Sequence, residues 1–269
     1  MNNYKKLGVF KSKGRFFKDK ISKYRSPFQR DRDRIIHSAS FRRLKHKTQV
    51  FVNTDGDHYR TRMTHSLEVA QIARSISKYL NLNDDLAETL SLAHDLGHTP
   101  FGHAGEEVLN DCMSNHGGFD HNLQTLRIVM FIEKKYIDFD GLNLSFETLD
   151  GLIKHNGPIK DLSKLENIIG IKSLKNKFKL NKFSCLESQI SNIADDIAYN
   201  NHDIQDGLKA GLFTLDELLE INFFKDIHKK YKNKKNIELQ VLIHQIIRDS
   251  IDLMVKDIIN NTIQNIKKN

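Results

Sequence analysis

Histidine and aspartate residues recur near the ends of predicted helices, where they could hold a metal ion. His65 stands near the start of one such helix, the pair His94-Asp95 stands at the end of the next, and Asp195 lies in a later one. A His-Asp pair alone is weak evidence, because about one is expected by chance with 13 histidines, and a second pair occurs at 202–203. Two imidazoles and two carboxylates from separate helices nevertheless make a mixed nitrogen and oxygen site for a divalent ion, with positions open for water or a phosphate oxygen.

The donor types narrow the choice of metal. Imidazole and carboxylate ligands suit manganese, iron or magnesium, and we expect one such divalent ion per site. A closed thiolate zinc site would need clustered cysteines, whereas Cys112 and Cys185 lie far apart in the sequence. We expect both cysteines to be reduced, small, buried apolar side chains.

The segment that follows this His-Asp pair is denser still in ionisable residues. It reads HDLGHTPFGHAGE over residues 94–106 and contributes His98, His103 and Glu106. His103 and Glu106 are three residues apart, so on a helix the carboxylate can orient the imidazole and raise its basicity, as general acid-base chemistry requires. The same dyad is equally compatible with a structural loop and a helix cap.

Helical periodicity indicates the elements that position these side chains. From residue 64 onward apolar residues recur with a period of roughly 3.6, and no convincing alternating strand series is found, so the sequence predicts an all-α domain. One predicted helix carries an apolar stripe formed by Leu67, Ala70, Ala73, Ile76 and Leu80.

Capping residues and spacing predict the further elements. A second helix is expected to begin after Asn83, which can cap it, and to end at Gly97. The spacing of Thr214 and Glu217 predicts a capping box that opens another helix. The remaining helices are predicted at 106–113, 122–136, 146–154, 187–201 and 238–266, and loops are predicted at 53–60 and 157–181.

The composition is that of an ordinary globular protein. Of the 269 residues, 39% are hydrophobic and 28% are charged, which excludes the disordered and fibrous classes. No apolar run approaches the roughly 18 residues of a membrane span, and the basic N-terminus lacks the apolar core and cleavage site of a secretory signal. We therefore expect a cytoplasmic protein without a membrane partner.

Positive charge is concentrated in the N-terminal part of the chain. The net charge is +8, and between residues 5 and 47 only Asp19, Asp31 and Asp33 oppose the basic residues. Such a segment attracts phosphate-bearing partners, single-stranded nucleic acid among them, but a composition rich in Lys, Asn and Ile also produces basic solvated faces. The favoured interpretation of its arginines is structural ion pairing, and nucleotide binding is the alternative. The arginines concerned are Arg30, Arg32, Arg34, Arg42 and Arg43.

Five ordered motifs resemble one known family. They are SPFQRDRDRIIHSASFRRLKHKTQV at 26–50, RMTHS at 62–66, the segment 94–106, GFDHN at 118–122 and ADDIAYNNHD at 194–203. With DGLKAGL at 206–212, they look like the deoxyguanosine triphosphate triphosphohydrolase (dGTPase) family of the HD-domain phosphohydrolases. The resemblance implies an all-α HD-domain helical bundle with a metal site in its core. We accordingly expect a basic arm at 1–34, an HD-domain catalytic core at 35–212 and a shortened C-terminal helical region at 213–269.

The resemblance also implies an activity and a set of roles. The activity is the metal-dependent hydrolysis of deoxynucleoside triphosphates, dGTP or others, to a deoxynucleoside and inorganic triphosphate. His103 and Glu106 match the family's catalytic pair near the α-phosphate, and His98 matches a further catalytic histidine. The residues that match its metal ligands are His65, His94, Asp95 and Asp195.

Five positions match residues that hold the substrate in the family. Gln49 and Asp203 match residues that reach the 3′-hydroxyl, and Tyr199 matches a residue that packs where a 2′-hydroxyl would clash. Arg62 matches a phosphate-contacting arginine, and His121 matches a further active-site histidine. The family further implies a homo-oligomer, with an allosteric nucleotide between subunits as a partner that the sequence leaves open.

Two other functions stay open at this point. One is a different HD phosphohydrolase that acts on monophosphate, cyclic or alarmone nucleotides, against which the sugar-binding set Gln49, Tyr199 and Asp203 argues. The other is a shortened, non-catalytic homologue that binds nucleotide or single-stranded nucleic acid, since the chain ends at Asn269, earlier than expected of the family. The filled metal and proton-transfer positions argue against this second alternative.

Overall fold

A computed structural model describes residues 4–51, 59–160, 165–166 and 178–268. Within these ranges the regular structure is helical, and β-pairing is confined to two isolated bridges, Arg15 with Ser145 and Thr48 with Thr61. The all-α prediction is therefore confirmed. Most of the loop predicted at 53–60 and of the loop predicted at 157–181 lies outside the described residues.

Eleven α-helices occur in the described part of the chain. They are α1 (Pro27–Ile36), α2 (Ala39–Arg43), α3 (Arg62–Tyr79), α4 (Asp84–Ala93), α5 (Gly102–Cys112), α6 (His121–Arg127), α7 (Phe146–Ile153), α8 (Leu186–Lys209), α9 (Leu215–Leu218), α10 (Asn222–Lys229) and α11 (Leu239–Lys268). A 3-10 turn, His94–Gly97, directly follows α4, and a π-helical turn, Ile128–Ile132, directly follows α6. None of the described helices contains the extended, nearly uncharged apolar stretch that a membrane span requires.

The packing divides the chain into two compact units, Met1–Asp195 and Asp196–Asn269. The first has a core to which α1, α4, α6 and α7 contribute, with Phe28, Leu90, Leu126 and Leu149 among its buried side chains. The second has its own small core around Phe224, Ile227 and Ile246. The boundaries expected at 34 and 212 stay predictions.

The expectation that both cysteines are buried was wrong for Cys112. It is exposed at the end of α5, a helix that has no fully buried residue. Cys185 is partly buried and packs against the core of the first unit.

Helix α3 begins as its sequence dictates. Thr61 caps it in a capping box with Thr64. Of the predicted apolar stripe, Ala70, Ala73, Ile76 and Leu80 are buried, whereas Leu67 is 48% exposed. The prediction was wrong for Leu67. Three residues of an α-helix fall about 60° short of a full turn, so a series spaced by three drifts around the helix. Leu67, the first member of the series, therefore lies at the edge of the buried stripe.

Helix α4 is capped as predicted but ends earlier. The Asn83 side chain accepts a hydrogen bond from the backbone N–H of Leu86. The α-helix stops at Ala93, and the chain tightens into the 3-10 turn that Gly97 closes. A Cβ on Gly97 would lie 2.2 Å from the carbonyl oxygen of His121 and 2.3 Å from the nitrogen of Thr125, so only glycine lets α6 pack this closely.

Residues 27–43 form two helices that the sequence analysis did not predict. Ser26 opens α1 through a capping box with Gln29. The arginines of this region form ion pairs, Arg30 and Arg34 with Asp19, and Arg32 with acidic residues of α4. The structural interpretation is confirmed for these three arginines.

The other predicted helices exist with shifted ends. The helix expected at 106–113 is α5, the one at 146–154 is α7, and the one at 238–266 is the single helix α11. The helix expected at 122–136 stops as α6 and its π-helical turn by Ile132, and the one expected at 187–201 extends to Lys209 as α8. The capping box of Thr214 and Glu217 is present and opens the short α9.

Candidate metal centre

Three of the predicted metal ligands come together in the first unit. His65 lies on α3, His94 opens the 3-10 turn after α4, and Asp195 lies on α8. One ligand atom from each lies within 4.8 Å of the others. Nε2 of His65 is 2.8 Å from Oδ1 of Asp195, and Nε2 of His94 is 3.5 Å from the same oxygen. Since both histidines are buried and the carboxylate is partly accessible, the cluster is a candidate metal centre.

The hydrogen bonding of His94 orients its ring for metal binding. Its Nδ1 lies 2.6 Å from the carbonyl oxygen of Ser91, so Nδ1–H donates there and Nε2 is the ring nitrogen left to coordinate a metal. Nε2 is buried, and no hydrogen-bond partner for it occurs among the described residues. A buried ring nitrogen without a hydrogen-bond partner, beside two carboxylate oxygens, fits a metal cation, which would take the place of the proton on Nε2.

The charges of the cluster support the same conclusion. Burial lowers the pKa of His94, but the carboxylates of Asp95 and Asp195 outweigh it and raise that pKa to about 9. Burial raises the pKa of Asp195, yet His94 and the hydrogen bonds from His155 and His65 hold it well below its ordinary range. The two carboxylates therefore stay ionised, and in the metal-free protein they hold positive charge on an imidazole.

Asp95 stands beside this cluster rather than within it. Its Oδ1 is 3.5 Å from Nε2 of His94 and 3.9 Å from Nε2 of His98. Its Oδ2 accepts a hydrogen bond from Nη1 of Arg62 at 2.8 Å. Burial raises the pKa of Asp95, but His94 and Arg62 hold it well below its ordinary range. One carboxylate oxygen is thus held by arginine while the other faces histidine, and the role of Asp95 as a ligand stays a prediction.

The predicted catalytic histidines form a second cluster next to Asp95. The rings of His98 and His121 stack with centroids 4.4 Å apart, and the ring of His103 lies 5.2 Å from that of His98. Burial and the charge of Arg62 lower the pKa of His98 to about 3 against the opposing effect of Asp95, so this imidazole is neutral. His103 is 72% exposed on its side chain and can meet a ligand from solvent.

Glu106 divides its hydrogen bonds unequally between two histidines. Its carboxylate lies 3.4 Å from Nδ1 of His103, as the predicted dyad requires. It lies only 2.8 Å from Nδ1 of His121 and also accepts the backbone N–H of that residue at 2.9 Å. Burial raises the pKa of Glu106, but these hydrogen bonds from His121 more than offset it and lower that pKa. The three-residue spacing predicted the contact of Glu106 with His103. It did not predict the shorter contact with His121, because His121 lies on another helix.

The sequence analysis did not select His155, which also reaches the metal centre. It follows α7, its side chain is 11% exposed, and its Nε2 lies 3.3 Å from Oδ2 of Asp195. Its ring centroid is 5.1 Å from that of His94. A signal was available in the short motif KHNG at 154–157, where a histidine lies between a helix end and a turn glycine.

Lys47 joins the segments that bear these residues. Its Nζ donates to the carbonyl oxygens of His98 at 2.6 Å and Leu96 at 3.3 Å, and its own carbonyl oxygen accepts the backbone N–H of Arg62 at 3.0 Å. Burial and the nearby charge of Arg62 lower its pKa. It therefore ties the start of α3 to the segment that carries His94 and His98.

The predicted sugar-binding residues are found in both units. Gln49 is buried in the first unit, and its Oε1 has no hydrogen-bond partner among the described residues. Tyr199 and Asp203 lie four and eight residues beyond Asp195 on α8, within the second unit. Tyr199 is 43% exposed. Their role in substrate binding stays a prediction.

The described part of the first unit is helical and holds a cluster of two buried histidines and one aspartate. This arrangement is typical of the HD-domain class of metal-binding proteins, and the comparison with known families supports the same class. The HD domain family model matches residues 62–200, which includes every residue of the metal cluster. Among curated relatives, a deoxyguanosinetriphosphate triphosphohydrolase-like protein of Pelagibacter ubique is 73% identical over 257 residues, 95% of this chain and 69% of that relative.

Two further relatives carry the same description. They come from Parvibaculum lavamentivorans and Caulobacter sp. (strain K31), and each is 51% identical over more than nine tenths of this chain and 65% of its own length. The chain thus spans about two thirds of the length of these relatives. It belongs to the deoxyguanosinetriphosphate triphosphohydrolase-like group of HD-domain phosphohydrolases.

Proposed function

We propose that the protein hydrolyses deoxynucleoside triphosphates to a deoxynucleoside and inorganic triphosphate, with the help of one divalent metal ion. The observation that carries this proposal is the unpartnered Nε2 of His94, buried between the carboxylates of Asp95 and Asp195. Beside it stands a cluster of histidines able to move a proton. Membership of the triphosphohydrolase-like group supports the choice of substrate.

The residues that would hold the metal are His65, His94, Asp195 and, as a fourth, Asp95. This mixed set of imidazole and carboxylate donors favours manganese, magnesium or iron. When bound, the ion supplies positive charge for a phosphoryl oxygen and lowers the pKa of a coordinated water. The pairing of Asp95 with Arg62 keeps its carboxylate ionised and oriented for this role.

Proton transfer is assigned to the histidine cluster. Hydrolysis to triphosphate requires water to attack the α-phosphorus, the bond from that phosphorus to the 5′-oxygen to break, and a proton to reach the 5′-oxygen. His103 is exposed and within reach of Glu106, so we assign it the proton transfer. His98, neutral and buried beside it, is assigned a hydrogen bond to a phosphate oxygen, and His121 with Glu106 holds the cluster together.

Recognition of the sugar is assigned to Gln49, Tyr199 and Asp203. The buried Oε1 of Gln49 can accept a hydrogen bond from the 3′-hydroxyl of a deoxyribose. Arg62 is assigned to phosphate, since its Nε has no hydrogen-bond partner among the described residues while Nη1 holds Asp95. A cytoplasmic homo-oligomer, an activating nucleotide and single-stranded nucleic acid as a ligand of the basic N-terminal residues remain parts of the same proposal.

The test is an analysis of products. The metal-free protein is incubated with each of the four deoxynucleoside triphosphates and with one ribonucleotide, with and without Mn²⁺, and the products are separated by chromatography. We expect inorganic triphosphate and deoxynucleoside, only when metal is added, and little from the ribonucleotide. Release of orthophosphate would instead favour another HD phosphohydrolase, and bound metal without any product would favour a non-catalytic binding protein.

A further inference from the structure

The two oxygens of the Asp195 carboxylate have different partners. Oδ1 faces the candidate metal centre, 2.8 Å from Nε2 of His65 and 3.5 Å from Nε2 of His94. Oδ2 lies 3.3 Å from Nε2 of His155. One oxygen is therefore available to a cation while the other meets a ring nitrogen that can donate a hydrogen bond.

His155 is held where this hydrogen bond requires it. Its carbonyl oxygen accepts a hydrogen bond from Nδ2 of Asn192, which lies on α8 three residues before Asp195. Its own backbone N–H donates to the carbonyl oxygen of Leu152 at 3.4 Å, within the turn that ends α7. The segment after α7 is thus tied to the part of α8 that carries the metal-facing carboxylate.

The ring of His155 is also fixed by packing. Its centroid lies 5.1 Å from the centroid of His94, with the two planes inclined by 31°. Only 11% of its side chain is exposed. Such a ring has little freedom to rotate, so its Nε2 remains directed at Oδ2 of Asp195.

We propose that His155 is a positioning residue of the metal centre, which donates from Nε2–H to Oδ2 of Asp195 and so keeps Oδ1 directed at the metal. A carboxylate on a partly accessible helix position can rotate about its side-chain bonds, and a donor on the second oxygen removes that freedom before the ion arrives. Partners of metal-binding carboxylates and histidines typically change metal affinity about 10- to 100-fold when they are removed. This inference rests on the metal centre of the proposed function, and it adds a residue to it.

Two substitutions in the full chain separate the hydrogen bond from the packing. His155→Phe keeps a ring against His94 and removes the donor, whereas His155→Gln keeps an N–H donor on a side chain of similar reach. His116→Ala is the control, because this exposed histidine lies outside both clusters. Circular dichroism melting of the metal-free proteins establishes that each variant is folded.

The measurement is the affinity for Mn²⁺ alone, by titration calorimetry, with no nucleotide present. We expect His155→Phe to bind Mn²⁺ about 10- to 100-fold more weakly than the wild type. We expect His155→Gln to remain within about threefold, since the donor is restored. The control is expected to match the wild type.

Three results would overturn the inference. Unchanged affinity in His155→Phe would show that the hydrogen bond does not matter, and equal losses in the Phe and Gln variants would show a direct ligand rather than a positioning donor. A wild-type protein that does not bind Mn²⁺ would overturn the metal centre and the role of His155 together. By contrast, a wild type that binds Mn²⁺ but releases no triphosphate would contradict the proposed reaction and leave the role of His155 standing.

Discussion

Nη1 of Arg62 lies 2.8 Å from Oδ2 of Asp95, with only 6% and 5% of the two side chains exposed. The pair joins the first residue of α3 to the 3-10 turn after α4, so it couples the two segments that carry His65 and His94. It also fixes which oxygen of Asp95 faces the histidines. A buried ion pair of this kind is costly to break, because removing one partner leaves the other charge without compensation.

Substitution of Arg62 by methionine tests this relationship. We expect Arg62→Met to lower the free energy of unfolding of the metal-free protein by about 3–5 kcal/mol, measured by urea denaturation. Arg25→Met is the matched control, since the Arg25 side chain, paired with Asp33, is 54% exposed and such pairs contribute about 1 kcal/mol or less. Equal losses in the two variants would contradict a structural role for the buried pair.

The exposed His103 should matter for turnover and not for folding. We expect His103→Ala to lose about 10²- to 10⁴-fold in kcat, because it removes the group assigned to proton transfer. Its 72% exposure predicts a change in unfolding free energy of about 0.5 kcal/mol or less, and it lies outside the metal cluster, so Mn²⁺ affinity should be retained. Steady-state kinetics and metal titration on the same preparation check both parts. A near-normal rate would show that the assignment is wrong.

Glu133 links α2 to the segment after α6 and should make stability depend on pH. Its carboxylate accepts hydrogen bonds from the backbone N–H and the hydroxyl of Ser40 and from the backbone N–H of Ala39. Burial raises the pKa of Glu133, but these hydrogen bonds outweigh it and leave the pKa below its ordinary value of 4.5. A lowered folded-state pKa stabilises the fold above pH 4.5, and that stability is lost as the pH falls through the folded-state pKa.

The comparison of wild type with Glu133→Gln isolates this contribution. We expect the variant to be less stable by roughly 1–3 kcal/mol at neutral pH, with a difference that is constant above the unfolded-state pKa and shrinks in acid. Urea denaturation of both proteins at a series of pH values gives the difference directly, and other titrating groups largely cancel. A difference that grows toward low pH would contradict the assignment.

Gly97 is predicted to be intolerant of any side chain. A Cβ there would meet the carbonyl oxygen of His121 at 2.2 Å, so Gly97→Ala should cost roughly 1–3 kcal/mol or more by overpacking. Gly211→Ala is the comparison, because its φ of +70° is unfavourable for alanine but nothing lies within 4 Å of the added carbon. We expect a larger fall in melting temperature for Gly97→Ala than for Gly211→Ala. A larger fall at Gly211 would show that α6 can move away from the turn.

The features of the fold and of the site that depend on local sequence patterns could be predicted from the sequence. Asn83 and Thr214 have short side chains that accept a hydrogen bond from a backbone N–H, and both helix caps were predicted. The meeting of His65, His94 and Asp195 followed from their types and their helical setting, together with the family motifs.

What sequence reasoning missed depends on contacts between distant residues. His155 reaches Asp195 across 40 residues, and Glu106 prefers His121, which comes from another helix, to the neighbour three residues away. Helix α1 was missed because its arginines and aspartates obscure the apolar face, although Phe28 and Ile35 are fully buried in the core. Such contacts depend on how distant segments pack together, and the hydrophobic periodicity of a single segment does not predict them.

The reaction itself can be tested most directly by tracing the oxygen of water. The metal-loaded protein is incubated with dGTP in H₂¹⁸O, and the products are analysed by mass spectrometry. Attack of water at the α-phosphorus predicts inorganic triphosphate that carries one ¹⁸O atom, together with unlabelled deoxyguanosine; the other deoxynucleoside triphosphates serve as parallel substrates. Labelled orthophosphate or pyrophosphate, or no product from any deoxynucleoside triphosphate despite bound metal, would contradict the proposed function.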